Sequence, residues 1–148
     1  MHGWRERMTS VLRYLAVGVL LGQIACGVQA EDPKIVSVRG RAEELLSALR
    51  QKDWGKASSF VLLDDDTRQR MGIPQGADPQ AVQDQAAAWF ERLYGTVAPG
   101  GVRSVVISVQ DPSVARVSYR HEDLDAFTMR LVDGKWFYTL NYRDGTLR

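Results

Sequence analysis

The stretch AFTMRLVDGKWFYTL, residues 126–140, decides the fold of this chain. Apolar and polar residues alternate on both sides of Asp133-Gly134, the two-residue signal of a tight β-hairpin whose twist suits its strands. A turn there sets Leu131 opposite Trp136, Met129 opposite Tyr138 and Phe127 opposite Leu140. Working back along the chain, the same alternation gives four candidate strands: 102–110, 114–121, 125–132 and 135–142. Asp111-Pro112-Ser113 is read as the first connection and Glu122-Asp123-Leu124 as the second. A three-residue first turn pairs Val109 with Ala115, Ile107 with Val117, and Val105 with Tyr119. The second puts Tyr119 beside Phe127 and Val117 beside Met129. One face then carries apolar rows, including Val105, Tyr119, Phe127 and Leu140 side by side. A slip of one residue would scatter those rows to both faces.

The opposite face carries Ser104, Ser108, Arg116, Ser118, Arg120, Thr128, Arg130, Thr139 and Asn141, and reads as solvated. Val106 and Phe137 interrupt it, and Arg116 is expected beside Arg130. Two readings stay open: long side chains splayed into water, or a docking patch for an anion, a partner or a homodimer centred on Phe137.

Upstream of the strands the period is helical. Ala42, Leu45, Leu46 and Leu49 mark a helix over about 37–51. Asp53 caps a shorter one with Trp54, Ala57, Phe60 and Val61 on one side. Asp64-Asp65-Asp66 opens a brief helical turn before the Gly72–Gly76 break. Asp78-Pro79 starts a third helix reaching about Leu93, with Val82, Ala86, Trp89, Phe90 and Leu93 inward and Gly95 as terminator. Helices first and a meander afterwards means α+β: three helices packed on one face of a curved, four-stranded antiparallel sheet.

This order, with "gD"-like Gln51-Lys52-Asp53-Trp54 and the closing DGKWFYTLNY at 133–142, resembles the nuclear transport factor two and ketosteroid isomerase superfamily. It is most similar to the small exported bacterial members with the cystatin-like cone. The resemblance covers about residues 38–142. It implies a strongly curved sheet wrapping the helices, with a cavity at the open end. It implies no single activity, because that scaffold hosts isomerases, dehydratases, transport adaptors and domains without chemistry. Two short strands that many relatives carry before the third helix are not evident between Phe60 and Ala77.

The first thirty residues address the chain. Arg5, Arg7 and Arg13 precede the apolar run Tyr14–Ala25, and Val28-Gln29-Ala30 supplies small residues for cleavage, the layout of a secretory signal. The run is too short to span a hydrocarbon core of roughly 30 Å. The expected product is residues 31–148, a single domain without a transmembrane segment, periplasmic or secreted. Ala25-Cys26-Gly27 offers an alternative, lipidation at Cys26 and anchoring to the envelope. Removing Arg5, Arg7, Arg13 and Glu6 from 19 Lys+Arg and 18 Asp+Glu leaves 16 and 17, a balance with no pull toward nucleic acid. Cys26 is the only cysteine, so the exported part has no disulfide.

His121 is the one histidine after residue 30, which leaves too few N or S ligands for zinc. The Asp64–Asp66 run lacks the alternating ligands, Gly and Glu of a calcium loop. No nucleotide-binding glycine motif or serine elbow occurs, and no cofactor is implied. The layout predicts a row of Arg103, His121, Asp125 and Tyr142 at the rim of the core-side face. His121 beside Asp125 has the make-up of a general base, Arg103 suits an anionic group, and Tyr142 suits a developing oxyanion. Ordinary surface is the competing reading. Steroid-isomerising relatives need a carboxylate and a tyrosine in an apolar pocket, and the nearest types are Asp125 with Tyr119 or Tyr94. The leading expectation is a non-catalytic exported domain that engages a small apolar ligand or an envelope protein. The rival is a small isomerase or lyase using His121, Asp125 and a tyrosine.

Overall fold

The computed structural model describes residues 30–119 and 126–140. The chain divides into two units, residues 1–31 and 32–148, and every described helix and strand belongs to the second. Helices α1 (Pro33–Arg50), α2 (Trp54–Ser58), α3 (Asp65–Met71) and α4 (Pro79–Tyr94) precede strands β1 (Val102–Ile107), β2 (Val114–Tyr119), β3 (Ala126–Val132) and β4 (Lys135–Thr139). The strands form one antiparallel meander in the order β1-β2-β3-β4. The fold is α+β, as expected.

Each helix begins on an aspartate whose carboxylate accepts from a backbone N–H of the first turn, satisfying one of that turn's orphan donors. Asp32 accepts from Lys34 at 2.8 Å, Asp53 from Lys56 at 3.0 Å, Asp64 from Thr67 at 2.8 Å and Asp78 from Gln80 at 3.1 Å. Asp32-Pro33 starts α1 four residues before the expected 37, by the same Asp-Pro device that opens α4. The brief turn at Asp64 is a seven-residue helix, closed by Gly72 at φ 73°. The described residues therefore carry four helical segments where three were expected.

Ala42, Leu45, Leu46 and Leu49 of α1 are fully buried, and Phe60 and Val61 follow α2 into the core. On α4, Val82, Ala86, Phe90 and Tyr94 are buried, whereas Trp89 and Leu93 are only half-buried. Segment 60–62, beyond α2, lies alongside β4. Tyr138 N–H donates to the Phe60 carbonyl (2.7 Å) and Leu62 N–H to the Tyr138 carbonyl (2.8 Å), a one-bridge parallel pairing that covers that edge of the sheet.

The register divides into a part as expected and a part displaced. Leu131 faces Trp136 and Met129 faces Tyr138, as the Asp133-Gly134 turn requires; both turn residues have positive φ, 48° and 76°. Across β1–β2, however, Ile107 faces Ala115 and Val105 faces Val117, and across β2–β3 Val117 faces Phe127 and Ala115 faces Met129. Each pairing is two residues from the expected one. Tyr119 therefore lies opposite Val102, not in one row with Val105 and Phe127, although Val105, Tyr119, Phe127 and Leu140 are all buried. An even slip leaves every side chain on its original face, so the core composition survives while the rows change.

Between β1 and β2 the displacement comes from their connection, which runs over residues 108–113 and not over three residues; the β2–β3 connection lies outside the described residues. Ser108 N–H still reaches the Val114 carbonyl (2.8 Å), and Val114 N–H closes on Asp111 (2.9 Å). Asp111 accepts from Ser113 N–H (3.0 Å) and from the Ser113 hydroxyl, and its own N–H donates to Ser108 Oγ (3.2 Å). These side-chain turns bind the segment so that Val109, expected in a core row, stands 98 % exposed. The outer face also departs from expectation: Val114, Thr128 and Thr139 are buried, as is Ser108. Arg116 faces Val106 and Thr128, while Arg130 faces Val114 and Phe137, so the two arginines are not opposite one another.

Candidate functional site

A pair of tyrosines is buried between helix and sheet. Tyr94 ends α4 and Tyr119 ends β2; both are almost completely buried, and their hydroxyls share a hydrogen bond of 3.0 Å. Around them the rings form a closed circuit. Tyr94 lies 6.2 Å from Phe90, Phe90 5.2 Å from Tyr138, Tyr138 5.6 Å from Phe127, and Phe127 5.5 Å from Tyr119. The hydroxyl bond completes the ring. Tilted and edge-on contacts at these separations are the preferred arrangements of aromatic quadrupoles. The structure thus brings together two of the tyrosines singled out from the sequence, in a site filled by aromatic side chains.

Arg103 is placed elsewhere. A β-bulge between Val102 and Ser104 sets Val102 opposite Tyr119 and against the core, and leaves Arg103 exposed. The extra residue reverses the face that Arg103 would take in a regular strand, so it does not join the core-side rim row. His121, Asp125 and Tyr142 lie outside the described residues, as does Cys26. Ala30 is exposed and precedes α1.

Two arginines and a glutamate on α1 were not singled out by sequence reasoning, yet they dock the helix. Glu43 accepts from Val102 N–H (2.6 Å) at the bulge, while Arg50 donates to the Gly100 carbonyl (3.1 Å) and stands 3.7 Å from Glu43. Arg41 lies over the Phe60 ring, 3.9 Å from its centroid, and donates to the Trp136 carbonyl (3.3 Å) and to Glu44 (2.9 Å). A charged residue beside an apolar stripe is the ordinary pattern of a helix flank, so no sequence signal marks these three.

Arg41 and Glu44 also line a surface cleft of about 380 Å³ with Val36, Gly40, Gly134 and Lys135. A second cleft of about 300 Å³ lies beside α3, lined by Asp65, Arg68, Gln69, Ile73 and Gln75. Neither reaches Tyr94 or Tyr119. The Asp111 carboxyl is held below its ordinary value, chiefly by the Ser113 hydroxyl and then by the Ser113 N–H. Among the described residues no three His, Cys, Asp or Glu side chains converge as metal ligands, and no helix is long and apolar enough to cross a membrane. No protein-family model matches the chain, and comparison with curated proteins found no relative.

Proposed function

We propose that this chain is an exported binding or accessory domain without chemistry of its own, engaging an envelope protein or a small apolar ligand at its surface. The observation that carries the reading is the aromatic circuit Tyr94–Phe90–Tyr138–Phe127–Tyr119, which occupies the space between α4 and the sheet. Ligand sites are concave and largely pre-formed. Here the two clefts lie on the outside, against α1 and α3. The signal-like residues 1–30 support export, with cleavage after Ala30 or lipidation at Cys26 as the two routes.

The proposed family is the nuclear transport factor two-like superfamily, and the proposed shape is its cone, a curved sheet wrapped on the helices. Helices followed by a four-stranded meander are in keeping with it, and so is the short pairing of Val61 with Tyr138 before α4.

The test is native mass spectrometry of the protein purified from its own envelope fraction. The expected result is a chain beginning at Glu31, or lipidated at Cys26, that carries another envelope protein or a small apolar molecule. A chain recovered with neither overturns the reading. A second reading, a small isomerase or lyase, is favoured by one observation, the buried Tyr94–Tyr119 hydrogen bond, since tyrosine hydroxyls in an apolar site can stabilise a developing oxyanion. That reading requires a turnover that Tyr119→Phe abolishes while the fold is retained.

A further inference from the structure

The cleft that runs between α1 and the β3–β4 turn combines three features that the packing of the chain leaves unused. The first is Gly40, exposed in the interior of α1, where an added Cβ would meet nothing within 4 Å. Glycine inside a helix is less stable than alanine, and no turn or close approach within the described residues requires it there. Its effect is to keep the cleft open down to the helix backbone. The second is Val36, one turn earlier on the same face of α1, which lines the cleft and stands 51 % exposed. The third is a pair of cations. Arg41 is fixed by its stack on Phe60 and by bonds to the Trp136 carbonyl and to Glu44. Those bonds engage Nε and Nη1, and Nη2 keeps no hydrogen-bond partner among the described residues. Lys135, on the β3–β4 hairpin, is exposed, and its ammonium has no partner among the described residues either.

We propose that this cleft binds a small monocarboxylate with an apolar tail, of the medium-chain fatty-acid class. The proposal rests on the reading of the chain as a surface-binding domain and names the ligand class and its place. Charge selects the head group. Arg41 and Lys135 against Glu44 leave one positive charge on the lining, which a single carboxylate neutralises and a phosphate dianion overshoots. The Arg41 guanidinium is already held by three contacts, so it loses little freedom in offering Nη2 to a carboxylate oxygen. Lys135 supplies the second charged donor. The tail lies over Gly40 and against Val36, an approach to the helix that a side chain at residue 40 would block. At about 380 Å³ the cleft has room for a small ligand. The cleft beside α3 lacks this character: Asp65 balances Arg68 on its lining, and Arg68 is spent on the Leu63 carbonyl.

A heteronuclear NMR titration of the isotope-labelled chain, as its own cell processes it, tests this with octanoate, octan-1-ol and inorganic phosphate. Octanoate is expected to shift the amide signals of Gly40, Arg41 and Gly134, with a dissociation constant in the millimolar range or below. Octan-1-ol, which lacks the charge, is expected to bind on the order of tenfold more weakly. Phosphate, which lacks the tail, is expected to shift the same signals less than octanoate does. Lys135→Gln removes an exposed charge and should weaken octanoate about threefold. Gly40→Leu fills the cleft with a better helix former, so it should raise the urea midpoint while abolishing the octanoate shifts. The raised midpoint shows that this variant is folded. No octanoate shifts at these residues, shifts centred on the α3 cleft, or octan-1-ol or phosphate acting as strongly as octanoate overturns the proposal. So does octanoate binding indifferent to Lys135→Gln or to Gly40→Leu. An envelope protein recovered by native mass spectrometry still upholds the surface-binding reading after such a result, so the two fail separately.

Discussion

The two outer hairpins of the sheet carry the same alternation of apolar and polar residues but turn by different means. Between β3 and β4 the backbone reverses over Asp133 and Gly134, both in the left-handed region, and the register follows from that geometry alone. Between β1 and β2 the reversal takes residues 108–113 and is held by side chains: Asp111 gathers Ser113, and Ser108 gathers Asp111. The first turn permits one alignment of its strands. The second holds its alignment through a few part-buried side-chain hydrogen bonds, and so responds to single polar substitutions.

The largest expected difference lies in the row both hairpins share. Met129 is fully buried, flanked by Ala115 and Tyr138. Met129→Ala should cost about 2–5 kcal/mol in urea unfolding, as cavity-forming changes do. A loss under about 1 kcal/mol would mean that this row is not packed as described. Next, Gly134→Val places a β-branched residue at φ 76° and should cost roughly 1–3 kcal/mol. The same substitution at Gly101, outside the left-handed region, should act mainly by displacing the Glu43 carboxylate, 3.2 Å from a new Cβ.

Smaller effects should separate the β1–β2 turn. Ser113→Ala should raise the Asp111 carboxyl toward its ordinary value, read by carbon-detected NMR titration, because the Ser113 hydroxyl is the first cause of its depression. The sign follows from linkage: a carboxyl lowered on folding contributes stability above its unfolded value of 3.8, and loses it as pH falls through the lower folded value. The wild-type chain should therefore lose this contribution only in acid below about 3.8, and Ser113→Ala should remove much of that pH dependence. Smallest of all, Val109→Ser should change the stability of the chain by no more than about 0.5 kcal/mol, because Val109 is almost fully exposed. A core valine at that position would cost several times more.

The contrast between hairpins also explains what is legible from residues alone. Asp133-Gly134 demands a backbone conformation, so its register can be read directly. Asp111-Pro112-Ser113 looks like a three-residue turn, but Ser108 joins it through its hydroxyl, and nothing in the alternation marks Ser108 as a strand end. Because the displacement is even in both β1–β2 and β2–β3, the alternation assigns Val105, Val117, Phe127 and Met129 to the correct face while pairing them wrongly across those two strand pairs. Asp78-Pro79 and Asp32-Pro33 are the same start signal, and Ile35 and Val38 carry the helical period back from Ala42 toward the second, so the earlier start of α1 is legible too.

At the candidate site, Tyr94 and Tyr119 are legible as residue types, but their meeting joins the end of a helix to the end of a strand 25 residues on, which local pattern does not reveal. Arg103 is misplaced by pattern alone because a bulge leaves no trace in alternation. The docking roles of Glu43, Arg41 and Arg50 depend on backbone groups far along the chain, which local pattern does not reveal.

The alignment of β1 on β2 underlies the place of Tyr119 opposite Val102 and the exposure of Val109. It is tested most directly by cross-strand Hα–Hα contacts in a nuclear Overhauser spectrum. Non-hydrogen-bonded antiparallel pairs bring their Cα atoms to about 4.5 Å. The account predicts strong contacts from Ile107 to Ala115 and from Val105 to Val117. Strong contacts from Ile107 to Val117 and from Val109 to Ala115 would contradict it.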